Sequence, residues 1–449
     1  MAIEKNDGLS HQYGIIWISI QYHKDVGMTS LWRQNGIQML SNSSVRRFSV
    51  SAKPTSAAVE PTTKGEKDLL LRRVIGAALL SALAAVTCSS AFAMSDCESL
   101  LRKRDLARAY SACSAALISR QKSAKGGQKG DLEALARAHD DLGSLFMLRG
   151  QYAEAEAQYR ESLAARQKAL GRSHHLQAMS LLPLADALVF QAKIAEAEPL
   201  LQRALELRQR ALGPHSEATA QAHHALGMLY TRLDAVKAES SFRDEITILE
   251  RLYPSGSPGI AIAYNNLGIL RQREGKPDQA ESYFRSSISM LERTAPKGAH
   301  KLDGPLLNLA TVLTEKQQYS NAKPLLLRLL DIRKQLHGPE SASVADIHNR
   351  LGVLHTRTGA VELAEAELRR AVTMREKKLG TNHLLVAESC TNLGILLMHK
   401  GRLNEALPLL RHSAAVTHSS TGPQSAQTTA AWQNLEQLYG RIIKASVMN

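Results

Sequence analysis

The feature that most restricts what this chain can fold into is a pattern that returns every 42 residues. A Leu followed by Gly or Ala stands at Leu142-Gly143, Leu184-Ala185, Leu226-Gly227, Leu267-Gly268, Leu309-Ala310, Leu351-Gly352 and Leu393-Gly394. A second marker, a small residue, keeps the same step at Ala155, Ala197, Ala238, Ala280, Ala322, Ala364 and Ala406. One spacing in each series is 41, which places a one-residue deletion between Met228 and Lys237. Two markers holding one period through seven units specify an array in which each unit buries its apolar side on its neighbours.

The residue types say what each unit is. Four residues after each small Ala comes a bulky one: Tyr159, Leu201, Phe242, Phe284, Leu326, Leu368 and Leu410. That spacing keeps both on one face of a helix, and the Gly or Ala after the Leu lets a second helix approach closely. Gly150, Gly275, Gly359 and Gly401 are placed to end first helices in left-handed conformation. Gly171, Gly213, Gly338, Gly380 and Gly422, several followed by Pro, end the second helices. With only 4% aromatic residues and Ala and Leu dominant, close-packed helices are favoured over sandwiches or barrels.

The phrases RGQYAEAEAQYRESLAARQKALG and LELRQRALGPH resemble tetratricopeptide repeats, of the 42-residue kind found in kinesin light chains, over about residues 95–446. The resemblance implies an all-α fold, a right-handed α-α superhelix. About seven full repeats are expected over 132–424, with a C-terminal capping helix at 425–446. A shortened N-terminal hairpin at 95–121 and a linker at 122–131 precede them. In the repeat register Cys97 falls at the small site of a first helix and Cys113 at the bulky site of a second. Those sites face each other, so an oxidising compartment would let the two bond; the alternative is two buried thiols. Cys390, on a core-facing position, is expected to be a buried free thiol.

The N-terminus reads as an address. Residues 74–95 carry no charge, follow Lys64, Lys67, Arg72 and Arg73, and include Ala91-Phe92-Ala93. This is the layout of a signal peptide at 69–93 cleaved after Ala93, with an uncleaved membrane anchor as the rival. Residues 1–68 form a leader in which 26–59 contains no acidic side chain, as in a transit peptide, or else reflect a start assigned too far upstream. Either way the protein is expected in an exported compartment: the bacterial periplasm or outside the cell, with the thylakoid lumen as the alternative.

Net charge is +14, but no block of like charge or aromatic-basic stripe marks a nucleic-acid binder, so no nucleic-acid partner is expected. No nucleophile, phosphate-loop or zinc-protease motif occurs. The pairs His174-His175 and His223-His224 are adjacent and point two ways, so no metal site is expected. No catalytic residue and no cofactor are expected either. In the family the first helices line the concave side, and asparagines before the Leu hold a ligand's backbone; Asn266, Asn308, Asn392 and Asn434 occupy that slot. Asp141, Pro183, Ala225 and Arg350 depart from it. Asn265 and Asn349, one residue earlier, are expected to face the same groove. Arg232, Arg273, Arg357 and Arg441, six residues after the Leu, either make that groove basic, suiting acidic peptides, or cap first-helix carbonyls. The expected function is a non-catalytic protein-interaction scaffold or adaptor that binds an extended peptide. The alternatives are a self-associating architectural solenoid and a regulatory subunit of an enzyme complex.

Overall fold

The computed structural model describes residues 97–103, 105–295 and 298–448; the leader, the signal-like segment and its cleavage site lie outside them. The described chain is helical throughout and divides after Leu229 into two compact units. The first unit holds a helical segment at 97–102, α1 (Leu106–Ser123), α2 (Lys129–Leu148), α3 (Tyr152–Leu170), α4 (Ala178–Phe190), α5 (Ile194–Leu212) and most of α6 (Glu217–Tyr230). The second holds α7 (Ala235–Leu252), α8 (Pro258–Arg273), α9 (Pro277–Thr294), α10 (Asp303–Glu315), α11 (Tyr319–His337) and α12 (Ala342–Arg357). It continues with α13 (Val361–Leu379), α14 (Leu384–His399), α15 (Leu403–Thr421) and α16 (Ala426–Met448). Of the expected linker at 122–131, only residues 124–128 fall outside α-helices, because α1 runs to Ser123 and α2 starts at Lys129.

Close approach within each hairpin depends on the small residues. A Cβ built on Gly268 would lie 2.5 Å from the Phe284 ring, and one on Gly394 would lie 2.7 Å from Leu410. Phe284, Leu410 and their equivalents Tyr159, Leu201, Phe242 and Leu368 are all buried. Bulky side chain and missing side chain therefore form one packing unit, repeated down the chain.

The turns follow the glycines. Gly275 and Gly401 take φ +71° and +75° between the helices of a hairpin. Where no glycine is present, Ala192 and Gln317 are forced to φ +61° and +60°. The shortened third hairpin omits this left-handed residue: Asp234, at φ −152°, instead accepts from the Val236 and Lys237 N–H groups and starts α7. Between hairpins, Ser257, Ser341 and Ser425 cap the next helix by accepting from the N–H three residues on.

The glycine ending α11 is under a harder constraint. Gly338 has φ +83° and ψ 155°, a region open to glycine alone, while nothing lies within 4 Å of where its Cβ would stand. Gly338→Ala should therefore lower urea stability by about 1–3 kcal/mol through backbone strain only. Gly275→Asn, in ordinary left-handed conformation, should cost much less.

Adjacent hairpins are also joined by carboxylates. Glu156 bonds Lys193 at 2.8 Å, Glu281 bonds Lys316 at 2.7 Å, and Glu365 bonds Lys400 at 3.0 Å and Arg402 at 2.8 Å. Burial works to raise the Glu365 carboxyl, but Lys400, Arg369 and Arg402 outweigh it and hold it down at about 2. A depressed folded-state value stabilises the fold above the ordinary value of 4.5 and loses that contribution as pH falls toward 2. Acid titration of stability should thus be shallower between those limits in Glu365→Gln than in the parent.

At the N-terminal end Cys97, Leu101, Ala109, Cys113, Leu142 and Leu145 form one small core. The Cα atoms of Cys97 and Cys113 are 4.9 Å apart and their sulfurs are at bonding distance.

Candidate partner-binding face

First helices of neighbouring repeats touch along the second unit, α8 with α10, α12 with α14, and α14 with α16. At two of these contacts the side chain just before one repeat Leu meets the residue two before the preceding repeat Leu. Asn308 Nδ2 donates to Asn265 Oδ1 at 2.9 Å, and Asn392 Nδ2 donates to Asn349 Oδ1 at 3.1 Å. Asn349 Nδ2 donates in turn to Glu388 Oε1 at 3.2 Å.

This arrangement sorts the asparagines into two tiers. Asn308 and Asn392 are half-buried. Asn265 is 1% exposed and Asn349 2%, so the expectation that these two open onto a groove is corrected. They lie between the helices, where their Oδ1 atoms hold the outer pair. Asn266 and Asn434 are likewise buried.

The arginines divide too. Arg273 Nη1 donates to the Thr231 carbonyl at 2.6 Å, and Arg441 Nη1 to the Met398 carbonyl at 3.2 Å. Each thus caps the end of the preceding first helix rather than lining a basic groove. Arg232 and Arg357 are exposed and bond no described residue. Arg357 stands with Val353, Thr356, Asn392 and Ile395 around a shallow depression between α12 and α14.

A set of buried arginines fixes the first helices in place, and the sequence reading missed it. Arg166, Arg208, Arg333 and Arg375 stand eleven residues after the small Ala of their second helices and are all buried. Arg208, Arg333 and Arg375 each donate to a carbonyl in the first turn of the next first helix, at Ala218, Ser343 and Leu385. The recurrence of Arg at the repeat step was the available signal. Asp346 receives Arg333 at 2.9 Å, Arg350 at 3.2 Å and Arg375 at 3.3 Å. Burial alone would raise its carboxyl; the three guanidiniums hold it well below the usual carboxylate range. Arg350, occupying an asparagine slot, also reaches Thr311 of α10 at 3.4 Å.

Elsewhere the His174 and His175 rings stack at 4.6 Å, and His224 is fully buried. Among the described residues no group of three His, Cys, Asp or Glu side chains could hold a metal ion. No described helix is long and apolar enough to cross a membrane. Cys390 is buried, which pushes its thiol up to about 12.

The tetratricopeptide repeat profile matches residues 134–207, 182–251 and 304–377, and a second tetratricopeptide repeat profile matches 386–425. Together they span more than half of the chain. No curated protein matches at the sequence level. Among solved structures, the apo quorum sensor NprR from B. thuringiensis is similar at 14% identity and TM-score 0.52, covering 78% of this chain and 95% of that one. The apo form of RapI is similar at 14% identity and TM-score 0.52, covering 70% and 89%. BtubC from P. vanneervenii shows 19% identity and TM-score 0.40, covering 56% and 91%.

Proposed function

We propose that this chain, which belongs to the tetratricopeptide repeat family, is a non-catalytic adaptor holding an extended segment of another protein on the first-helix face of its second unit. The observation that carries this reading is the state of Asn308 and Asn392. Each is half-exposed and fixed through Nδ2 by a buried asparagine, with Oδ1 left free of described partners. A fixed amide with a spare acceptor and a second N–H recognises a peptide backbone whatever its side chains. Arg357, beside the aliphatic Val353 and Ile395, adds a preference for a carboxylate near an apolar residue.

Asn308→Ala with Asn392→Ala should weaken capture of the native partner roughly 10-fold, two modest hydrogen bonds' worth, with helicity unchanged. Unchanged capture would remove the asparagines from the binding face. The partner itself is to be obtained by affinity capture from the native compartment.

An exported location completes the proposal. It is supported by the signal-like sequence at 69–93 and by the juxtaposed Cys97 and Cys113, whose bond would tie residues 97–102 to α1. Alkylation of the native protein with and without reductant reads this directly. Two added labels on reduction support the bond, and equal labelling removes it.

A further inference from the structure

In the last described helix, α16, Trp432, Glu436 and Tyr439 are exposed where their counterparts in α10, Leu306, Ala310 and Leu313, are buried, and Ile443 extends this face past the point where earlier first helices end. Trp432, Glu436, Tyr439 and Ile443 are spaced four, three and four apart, which puts them on one side of a helix. In α8 and α12 the matching positions meet the second helix of the same hairpin: Gly268 lies under Phe284, and His348 bonds Glu367 at 2.5 Å. In α16 no described second helix follows. Trp432 is 49% exposed, Tyr439 40% and Ile443 63%, and the Trp432 ring lies edge-on to His418 of α15, with centroids 6.5 Å apart. Three large apolar side chains thus share one exposed helix face, with Glu436 between Trp432 and Tyr439.

Two features say what covers it. Glu436 stands in the slot that holds Gly or Ala in the seven repeats, the slot into which a bulky second-helix residue packs. A glutamate there fills the space that a second-helix side chain occupies over Gly268 or Gly394. Gly440 sits inside the helix, exposed, with nothing within 4 Å of where a Cβ would be. An unpacked glycine there costs helix stability and lets another backbone approach closely.

We infer that α16 pairs with α16 of a second copy of this chain, antiparallel about a two-fold axis at Gly440. Glu436 and Lys444 lie four residues either side of Gly440, so this symmetry sets Glu436 of one copy against Lys444 of the other, twice. Both are exposed and bond no described residue within the chain. The side chains of Trp432, Tyr439 and Ile443 are buried between the two helices. Pairing one helix with one helix covers less than a standard stable interface, so the dimer is weak and concentration-dependent.

Sedimentation velocity of the full-length protein over a concentration series tests this. The parent should pass from monomer to dimer. Glu436→Lys and Lys444→Glu should each weaken the dimer roughly 10-fold, since each sets two like-charged pairs in contact. The double reversal should recover parent affinity, and Ile443→Glu should abolish the dimer. All three substitutions are on exposed side chains, and far-UV circular dichroism confirms that helicity is kept. A parent monomeric throughout, a dimer that no variant weakens, or a double reversal no tighter than the single ones would each overturn the pairing.

Discussion

Arg375→Ala should destabilise the second unit by about 3–5 kcal/mol, the range for removing one partner of a buried ion pair. The guanidinium is fully buried and reaches the Leu385 carbonyl at 2.7 Å, Ser389 Oγ at 2.7 Å, Glu388 at 3.1 Å and Asp346 at 3.3 Å. Its loss leaves the Leu385 carbonyl without this donor and removes one guanidinium from Asp346 and from the partly exposed Glu388. Arg375→Leu should recover only the packing share. Leu291 is the natural residue at that register in the fourth repeat, but there the positions matching Asp346 and Glu388 hold Ile262 and Gly304. Urea unfolding monitored by circular dichroism reads both variants. An Arg375→Leu protein as stable as the parent would mean the ionic cluster contributes nothing net.

Phe284→Ala should cost a similar amount, about 3–5 kcal/mol, as a large-to-small change in a closed core. The ring is fully buried over Gly268, so the vacated volume lies directly where a Cβ at 268 would project. Gly268→Ala alone should be destabilising by about 1–3 kcal/mol from overpacking. Combined with Phe284→Ala it should cost less than the two separate effects summed, because each change supplies room the other needs. Strict additivity in a thermodynamic cycle would show that the two positions do not share a packing site.

The architecture was legible because its cause is periodic. Leu267-Gly268 with Ala280 and Phe284 states the whole hairpin contact, and the same four positions recur down the chain. The turn at Asp234 was legible only as a missing residue; that an aspartate would cap α7 in its place depends on backbone angles a spacing does not reveal. The binding face was less legible. Asn266, Asn308, Asn392 and Asn434 share one repeat slot, yet Asn266 and Asn434 are buried while Asn308 and Asn392 are not, because exposure depends on the neighbouring helices rather than on the slot. The arginines failed for another reason. Arg273 and Arg357 share a repeat position, but only Arg273 finds a carbonyl, that of Thr231. The buried Arg166, Arg208, Arg333 and Arg375 could have been found, had charge been searched for periodicity as apolar size was.

Cys390 offers a clock for the array. Its thiol is shut inside the packing of α14 against α13 and α15, and with ionisation pushed to about 12 almost no thiolate exists at neutral pH to react. A thiol reagent can therefore modify it only in the moments when these hairpins separate. The modification rate at fixed reagent thus counts separations per unit time at one seam of the solenoid, and it slows if anything bound across α12 and α14 holds that seam shut.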